Sequence, residues 1–334
     1  MRITRETLLK AAKNFVDQRA HTDHDLVAVY VVGSLLTEEP LLGGTADIDL
    51  VFIQNRTPDV PREIVRLTAE VTLDIAYYDE ADYRHPRHLR LDPWVGSSLC
   101  DTRIVLYDTQ HWFEFTQSSV GSQFYIPENV LSRSLLQSEK ARNLWESMQS
   151  SVGSHPLKLL NYLKSVKSAA NAVASLSGPP LTERRFLLKY PDRTAEIGRP
   201  GLAAGMMGLL GADLAEPERV QTWLSGWHAS LQALEGEKDI PIRLNPYRFP
   251  YYERAVEAIL ASDHPQAVLW PLLRTWTLAC SCLPSDSPHL VPWQEACEHL
   301  HLGSNHFEEK LSALDAYLDT IEETLEKWGE ENGV

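Results

Sequence analysis

The sequence predicts an α/β N-terminal domain, a small mixed β-sheet flanked by helices, followed by an all-α helical bundle. Three observations carry this. Short apolar, β-prone runs at 26–32, 47–53, 71–77 and 103–107 all fall before Asp108. After Asp108 the texture changes: Trp112, Phe113 and Phe115 crowd together, and the chain beyond is helix-periodic with polar or proline breaks. At 334 residues the chain suits two domains, placed at 1–115 and 116–334.

The elements follow in order. Residues 4–20 form an amphipathic helix, with Thr4 as cap, Glu6 in the first turn, and Leu8, Leu9, Ala12, Phe15 and Val16 as its apolar stripe. The apolar run 26–32 ends at Gly33-Ser34. Pro40 and Gly43-Gly44 make 37–45 a loop. In the strand 47–53, Asp47 and Asp49 point to one face, and Ile48, Leu50 and Phe52 to the other, toward a core. Pro61 suits the start of a helix reaching about Glu70. Asp74 lies on the strand 71–77, Asp79 caps a turn after it, and the basic patch from His85 to Arg90 reads as a solvated loop. Helices are expected at about 127–150, 156–176, 182–190, 200–210, 216–235, 250–262, 265–282 and 305–329. Trp223 and Trp227 lie one turn apart as core residues, the glycine-rich stretch 198–211 suits close helix packing, and Cys280 sits in an apolar helical run as a buried thiol.

Composition narrows the functional classes. No apolar run is long enough to span a membrane, the N-terminal residues lack the apolar core of a secretory signal, and four cysteines do not make a disulfide framework. The expected location is cytoplasmic. The formal net charge of −15 disfavours nucleic acid as partner, because a polyanion needs a basic track; it either favours a small or cationic acceptor or serves solubility alone.

The chemistry concentrates at 29–53. Two carboxylates on one strand face repel unless a cation lies between them, and oxygen-only ligands suit Mg²⁺. Gly33 has no Cβ, so backbone amides there can approach a phosphate, and Ser34 adds a hydroxyl. An anion cradle beside a carboxylate pair implies a metal–nucleoside triphosphate site and in-line displacement at phosphorus.

The order hydrophobic-Gly33-Ser34, a spacer over 35–46, Asp47-Ile48-Asp49 and then Asp74 on a later strand resembles the DNA polymerase β-type nucleotidyltransferase superfamily. The likeness covers about 26–108. A weaker likeness to its aminoglycoside adenylyltransferase branch extends into the helical region. It rests on Lys164 and Lys167 in 159–174, the break at Gly178-Pro179-Pro180, and the restart at Leu181. In that branch a basic residue on the helix and a later Lys contact the triphosphate across the domain cleft. Here the later Lys is absent, and Arg184 or Arg185 is the nearest substitute. The resemblance implies that Gly33, Ser34, Lys167 and Arg184 bind ATP or another nucleoside triphosphate. It implies that Asp47 and Asp49, with Asp74, are catalytic and bind Mg²⁺, two ions being expected. Asp74 is either the third metal ligand or the general base. The implied reaction is transfer of a nucleoside monophosphate, AMP from ATP, to a hydroxyl of a small acceptor such as an aminoglycoside. Protein AMPylation, RNA-end transfer and a non-catalytic nucleotide sensor stay open. So does self-association through the extra C-terminal helices.

Overall fold

A computed structural model of the chain describes residues 3–150, 153–237 and 239–334. The elements run α1 (Arg5–Thr22), β1 (Leu26–Val32), β2 (Ala46–Gln54), β3 (Arg62–Arg66), β4 (Val71–Asp79), α2 (Pro86–Leu91), α3 (Val95–Asp101), β5 (Val105–Asp108) and α4 (Trp112–Gly121). They continue with α5 (Pro127–Gln149), α6 (His155–Ala174), α7 (Phe186–Glu196), α8 (Gly201–Leu209), α9 (Pro217–Gln232), α10 (Phe249–Leu260), α11 (Leu269–Cys282), α12 (Val291–His299) and α13 (Phe307–Asn332). The chain is therefore a mixed sheet with flanking helices followed by a largely helical part, and none of the described helices is long and apolar enough to cross a membrane.

Two compact units emerge, Met1–Asn129 with Asn245–Ala258, and Val130–Leu244 with Ile259–Val334. The sequence division at 115/116 falls inside α4, and the helical half does not keep to itself: Asn245–Ala258 belongs with the sheet. Local patterning registers a change of texture, whereas a return of the chain over this separation leaves no local trace.

In the first unit the five strands lie in the order β3-β4-β2-β1-β5. β2 and β4 are parallel, and the other three pairings are antiparallel. Period-two alternation divides the sheet into two faces. Ile48, Leu50 and Phe52 of β2 and Leu73 and Ile75 of β4 pack with Leu8, Ala12 and Val16 of α1. On the opposite face Tyr30, Val51 and Ile53 pack with Leu89 of α2, Leu99 of α3 and Phe113 and Val120 of α4.

α1 agrees with the sequence reading, including its Thr4 cap, whose side chain accepts from the Thr7 amide at 3.3 Å. Asp79 likewise caps the turn that follows β4, accepting from the Ala81 amide at 2.8 Å.

Two expectations fail in this unit. The helix expected over 61–70 is the edge strand β3, joined to β4 by a tight hairpin in which the Leu67 amide donates to the Val71 carbonyl at 3.0 Å. Pro61 suggested a helix start, but the run carries β-branched Ile64 and Val65, and its ends are charged as an edge strand requires. The patch from His85 to Arg90 is not a solvated loop either. It forms α2, and Arg90 donates to the carbonyls of Ser119 and Val120 at 2.6 and 3.2 Å, closing the last turn of α4.

In the second unit the buried α6 is the central helix, with Tyr162, Leu163, Val166 and Ala170 fully enclosed. Trp223, Trp227 and Cys280 are core residues as expected. Gly205 of α8 lies so close to the Tyr317 ring of α13 that a Cβ there would stand 3.1 Å from it. α12 has no counterpart among the expected helices.

Candidate functional site

The parallel register of β2 and β4 sets Asp49 directly beside Asp74 and Asp47 beside Thr72. Adjacent strands in register point paired side chains the same way, so the three carboxylates that are far apart in sequence share one face. Asp47 and Asp74 are almost wholly enclosed, and Asp49 is partly open. The Thr72 hydroxyl donates to Asp47 Oδ1.

Gly33 follows β1 at φ +73°, a left-handed conformation that favours glycine. A Cβ at that position would run into the Asp49 carboxylate. The chain then makes a single 3₁₀ turn, Gly33–Leu36, in which the Ser34 carbonyl accepts from the amide and hydroxyl of Thr37 at 3.0 and 2.7 Å. The loop beyond closes through reciprocal Leu42–Thr45 backbone bonds. Gly33 and the Asp49 carboxylate are thus in direct apposition, with Ser34 adjoining.

Two cations that the sequence reading missed sit among the acids. Arg62 of β3 grips Asp74 with both arms, Nε to Oδ1 at 2.5 Å and Nη2 to Oδ2 at 2.8 Å. Arg248, in the 3₁₀ turn Pro246–Arg248 that leads into α10, bridges two acids. Its Nη2 lies 2.7 Å from Asp47 Oδ2 and its Nη1 lies 2.9 Å from Asp74 Oδ2. The Arg248 side chain is 4 % exposed, so this is a buried ion pair and not a surface one. The rings of Tyr251 and Tyr252 lie 5.4 and 5.6 Å from its guanidinium carbon, within cation–π range. Alternation could have located Arg62, which shares its face with Asp74 once β3 is read as a strand. Nothing local marks Arg248.

The electrostatics follow from this arrangement. Burial, then the neighbouring Asp74 and Asp47 carboxylates, push Asp49 well above the ordinary carboxyl range, against the opposing pull of Arg248 and Arg62. Burial alone would lower the Arg248 guanidinium; Tyr252, Asp47 and Asp74 outweigh it, and Arg248 stays above its ordinary value. Both oxygens of Asp74 are engaged by guanidinium groups in this state.

By chemistry the donor set suits a hard divalent cation, because it offers only carboxylate oxygens on one face. By arrangement it is closed: among the described residues no group of three or more His, Cys, Asp or Glu side chains stands ready to hold a metal ion. Arg248 instead bridges Asp47 and Asp74.

Lys167 and Arg184 belong to the second unit. Lys167, on α6, is half-buried, and Arg184, in the turn Glu183–Arg185 before α7, is almost wholly buried, so neither is a solvated helix residue. Burial pushes the Lys167 ammonium down to about 8. Arg243, Arg274 and Lys140 add to this and Glu183 opposes it. Glu183 in turn pairs with Arg243 at 2.6 Å. A cationic neighbourhood in so acidic a chain was visible in the sequence only as Lys164, Lys167 and Arg184.

No protein-family model matches the chain, and no curated protein matches it either.

Proposed function

We propose that the chain is a Mg²⁺-dependent nucleotidyltransferase that moves AMP from ATP to a hydroxyl of a small, cationic acceptor such as an aminoglycoside. The observation that supports this reading is the convergence of Asp47, Asp49 and Asp74 on one sheet face against the Gly33 corner. The acceptor hydroxyl oxygen would bond to the α-phosphorus and give up its proton to a base, the bond from that phosphorus to the α,β-bridging oxygen would break, and pyrophosphate would leave. Asp47 and Asp49 would hold the metal, which when bound supplies neutralisation of the charge on the departing pyrophosphate. Asp74 serves either as a ligand or as the group that takes the hydroxyl proton, and either role requires its oxygens to leave Arg62 or Arg248. Gly33 and Ser34 would position the phosphates. The net charge of −15 accords with a cationic acceptor.

A second reading, a non-catalytic nucleotide sensor, draws on the Arg248 bridge, since an acid cluster already neutralised by guanidinium groups needs no metal to persist. Pyrophosphate release from ATP and Mg²⁺, measured across acceptors that include aminoglycosides, separates the two. Release that depends on one acceptor and is lost in Asp47→Ala/Asp49→Ala establishes the transferase. Nucleotide binding without release under any acceptor, unaltered by that double substitution, favours the sensor.

A further inference from the structure

We propose that Arg248 is a displaceable internal cation that competes with a divalent metal for Asp47 and Asp74, so that the site is shut until metal enters. This rests on the metal-site part of the function proposed above.

The guanidinium and the metal would require the same atoms. Arg248 takes Asp47 Oδ2 and Asp74 Oδ2, at 2.7 and 2.9 Å, and both carboxylates are enclosed, so no second approach to those oxygens is open while it is seated. A guanidinium and a divalent ion cannot share the gap, because their charges repel and the ion demands short, direct oxygen contacts.

The seat is not fully satisfied. Arg248 Nε is buried and has no hydrogen-bond partner among the described residues. Buried donors are nearly always paired, and one left over weakens the seated state relative to one in which the guanidinium reaches water.

Displacement opens only the short turn that carries Arg248, including the bond from its amide to the Asn245 carbonyl, and leaves α10 folded. Arg248 lies at the end of a short turn set by Asn245, whose side chain accepts from the Tyr247 amide at 3.0 Å, and not within the body of α10. Its long flexible side chain can swing while Tyr252, Ala255 and Val256 of α10 remain buried. Arg62, whose side chain is 43 % exposed, already approaches Asp74 from the open edge and can stay as that carboxylate's anchor.

The test uses the full chain and Mn²⁺ as probe, with no nucleotide. Mn²⁺ affinity is measured for the wild type, Arg248→Gln, Arg248→Lys and Asp47→Asn. Hydrogen exchange of 245–250 is followed in the wild type with and without Mn²⁺. If the seated state holds about nine-tenths of the population, Arg248→Gln tightens Mn²⁺ binding by about tenfold. Arg248→Lys, which keeps the charge but loses the fork, gives a smaller gain. Asp47→Asn abolishes the tight component, and Mn²⁺ speeds exchange across 245–250 in the wild type. Equal Mn²⁺ affinity in the wild type and Arg248→Gln, both dependent on Asp47, with unchanged exchange, overturns the competition and leaves the metal site standing. Absence of Mn²⁺ binding in every form overturns the metal site itself, and the competition with it. The exchange measurement needs no variant, so a failure of Arg248→Gln to fold leaves the decision intact.

Discussion

The absent side chain of Gly33 and the carboxylate of Asp49 occupy adjoining space: a Cβ on Gly33 would collide with the Asp49 carboxyl group. Gly33 is also held at φ +73°. Gly33→Ala therefore meets two separate penalties. The backbone one is about 1–2 kcal/mol, the usual cost of placing an L-residue in the left-handed region. The steric one adds to it and depends on Asp49 remaining in place. In urea denaturation, Gly33→Ala is expected to lose stability by more than the backbone cost. Combining it with Asp49→Gly should recover the steric part only. Simple additivity of the two substitutions would show that the collision is relieved by a movement elsewhere.

Thr72 supports Asp47 from the neighbouring strand. The two are buried and adjacent in register, and the hydroxyl donates to Oδ1. Removing a donor from a buried charged acceptor costs about 1.5–3 kcal/mol. Thr72→Val should lower the urea midpoint accordingly, while Thr72→Ser, which keeps the donor, should lose far less. Equal losses in the two variants would assign the effect to packing of the methyl group.

Lys167 gives a pH dependence whose sign is fixed. Its folded-state value of about 8 lies below the ordinary 10.5, burial being the main cause. Between those values the unfolded chain holds more protons than the folded one, so stability rises with pH across that window. The penalty for burying the charge is fully present below about pH 8 and vanishes as pH approaches 10.5. Lys167→Met should be the more stable form below pH 8, and the gap between variant and wild type should narrow toward pH 10.5. Thermal midpoints measured from pH 7 to 10.5 check this, and parallel curves would contradict it.

Arg142 of α5 meets three acids on α13, Asp315 at 2.5 Å, Asp319 at 2.6 Å and Glu322 at 2.9 Å. Hydrogen bonding to Glu322, outweighing the opposing effect of partial burial, and then to Asp319 raises its guanidinium above the ordinary value. The acids are substantially exposed, so each pair contributes little, and the network together stabilises by about 1–2 kcal/mol at low salt. Arg142→Met should lose this in dilute buffer and lose less at 0.5 M salt, about where screening becomes severe. A salt-independent loss would point to the packing of the Arg142 stem on Trp145, whose ring lies 5.4 Å from the guanidinium carbon.

Much of the site was legible because its logic is local. Asp47 and Asp49 differ by two positions, so strand periodicity alone places them on one face. Asp74 joins them because 71–77 is β-prone over its whole length. Gly33 stands out at the end of an apolar run. Arg62 was obscured by Pro61, which suits the entry to a helix as well as to an edge strand, and five residues are too few for periodicity to decide between them. Arg248 lay beyond reach for a different reason. Its partner Asp47 is 201 positions away, and a pairing at that range is set by tertiary packing alone. The helices from 127 onward, α12 excepted, followed the apolar period closely, whereas α2, α3 and α4 did not, being short and rich in aromatic, glycine or proline residues.

The return of Asn245–Ala258 to the sheet bears on the order in which the protein can be made. A ribosome delivers the chain from its N-terminus, and all five strands are available long before Arg248 is synthesised. Until then Asp47 and Asp74 lack one of their buried counter-charges, and the nascent sheet carries an acid cluster that water or a passing cation must satisfy. Closing the loop that brings Arg248 home costs entropy that grows only slowly with its length, so the delay is chiefly one of translation. The first unit is therefore finished only once Asn245–Ala258 has emerged, well after its five strands have been made.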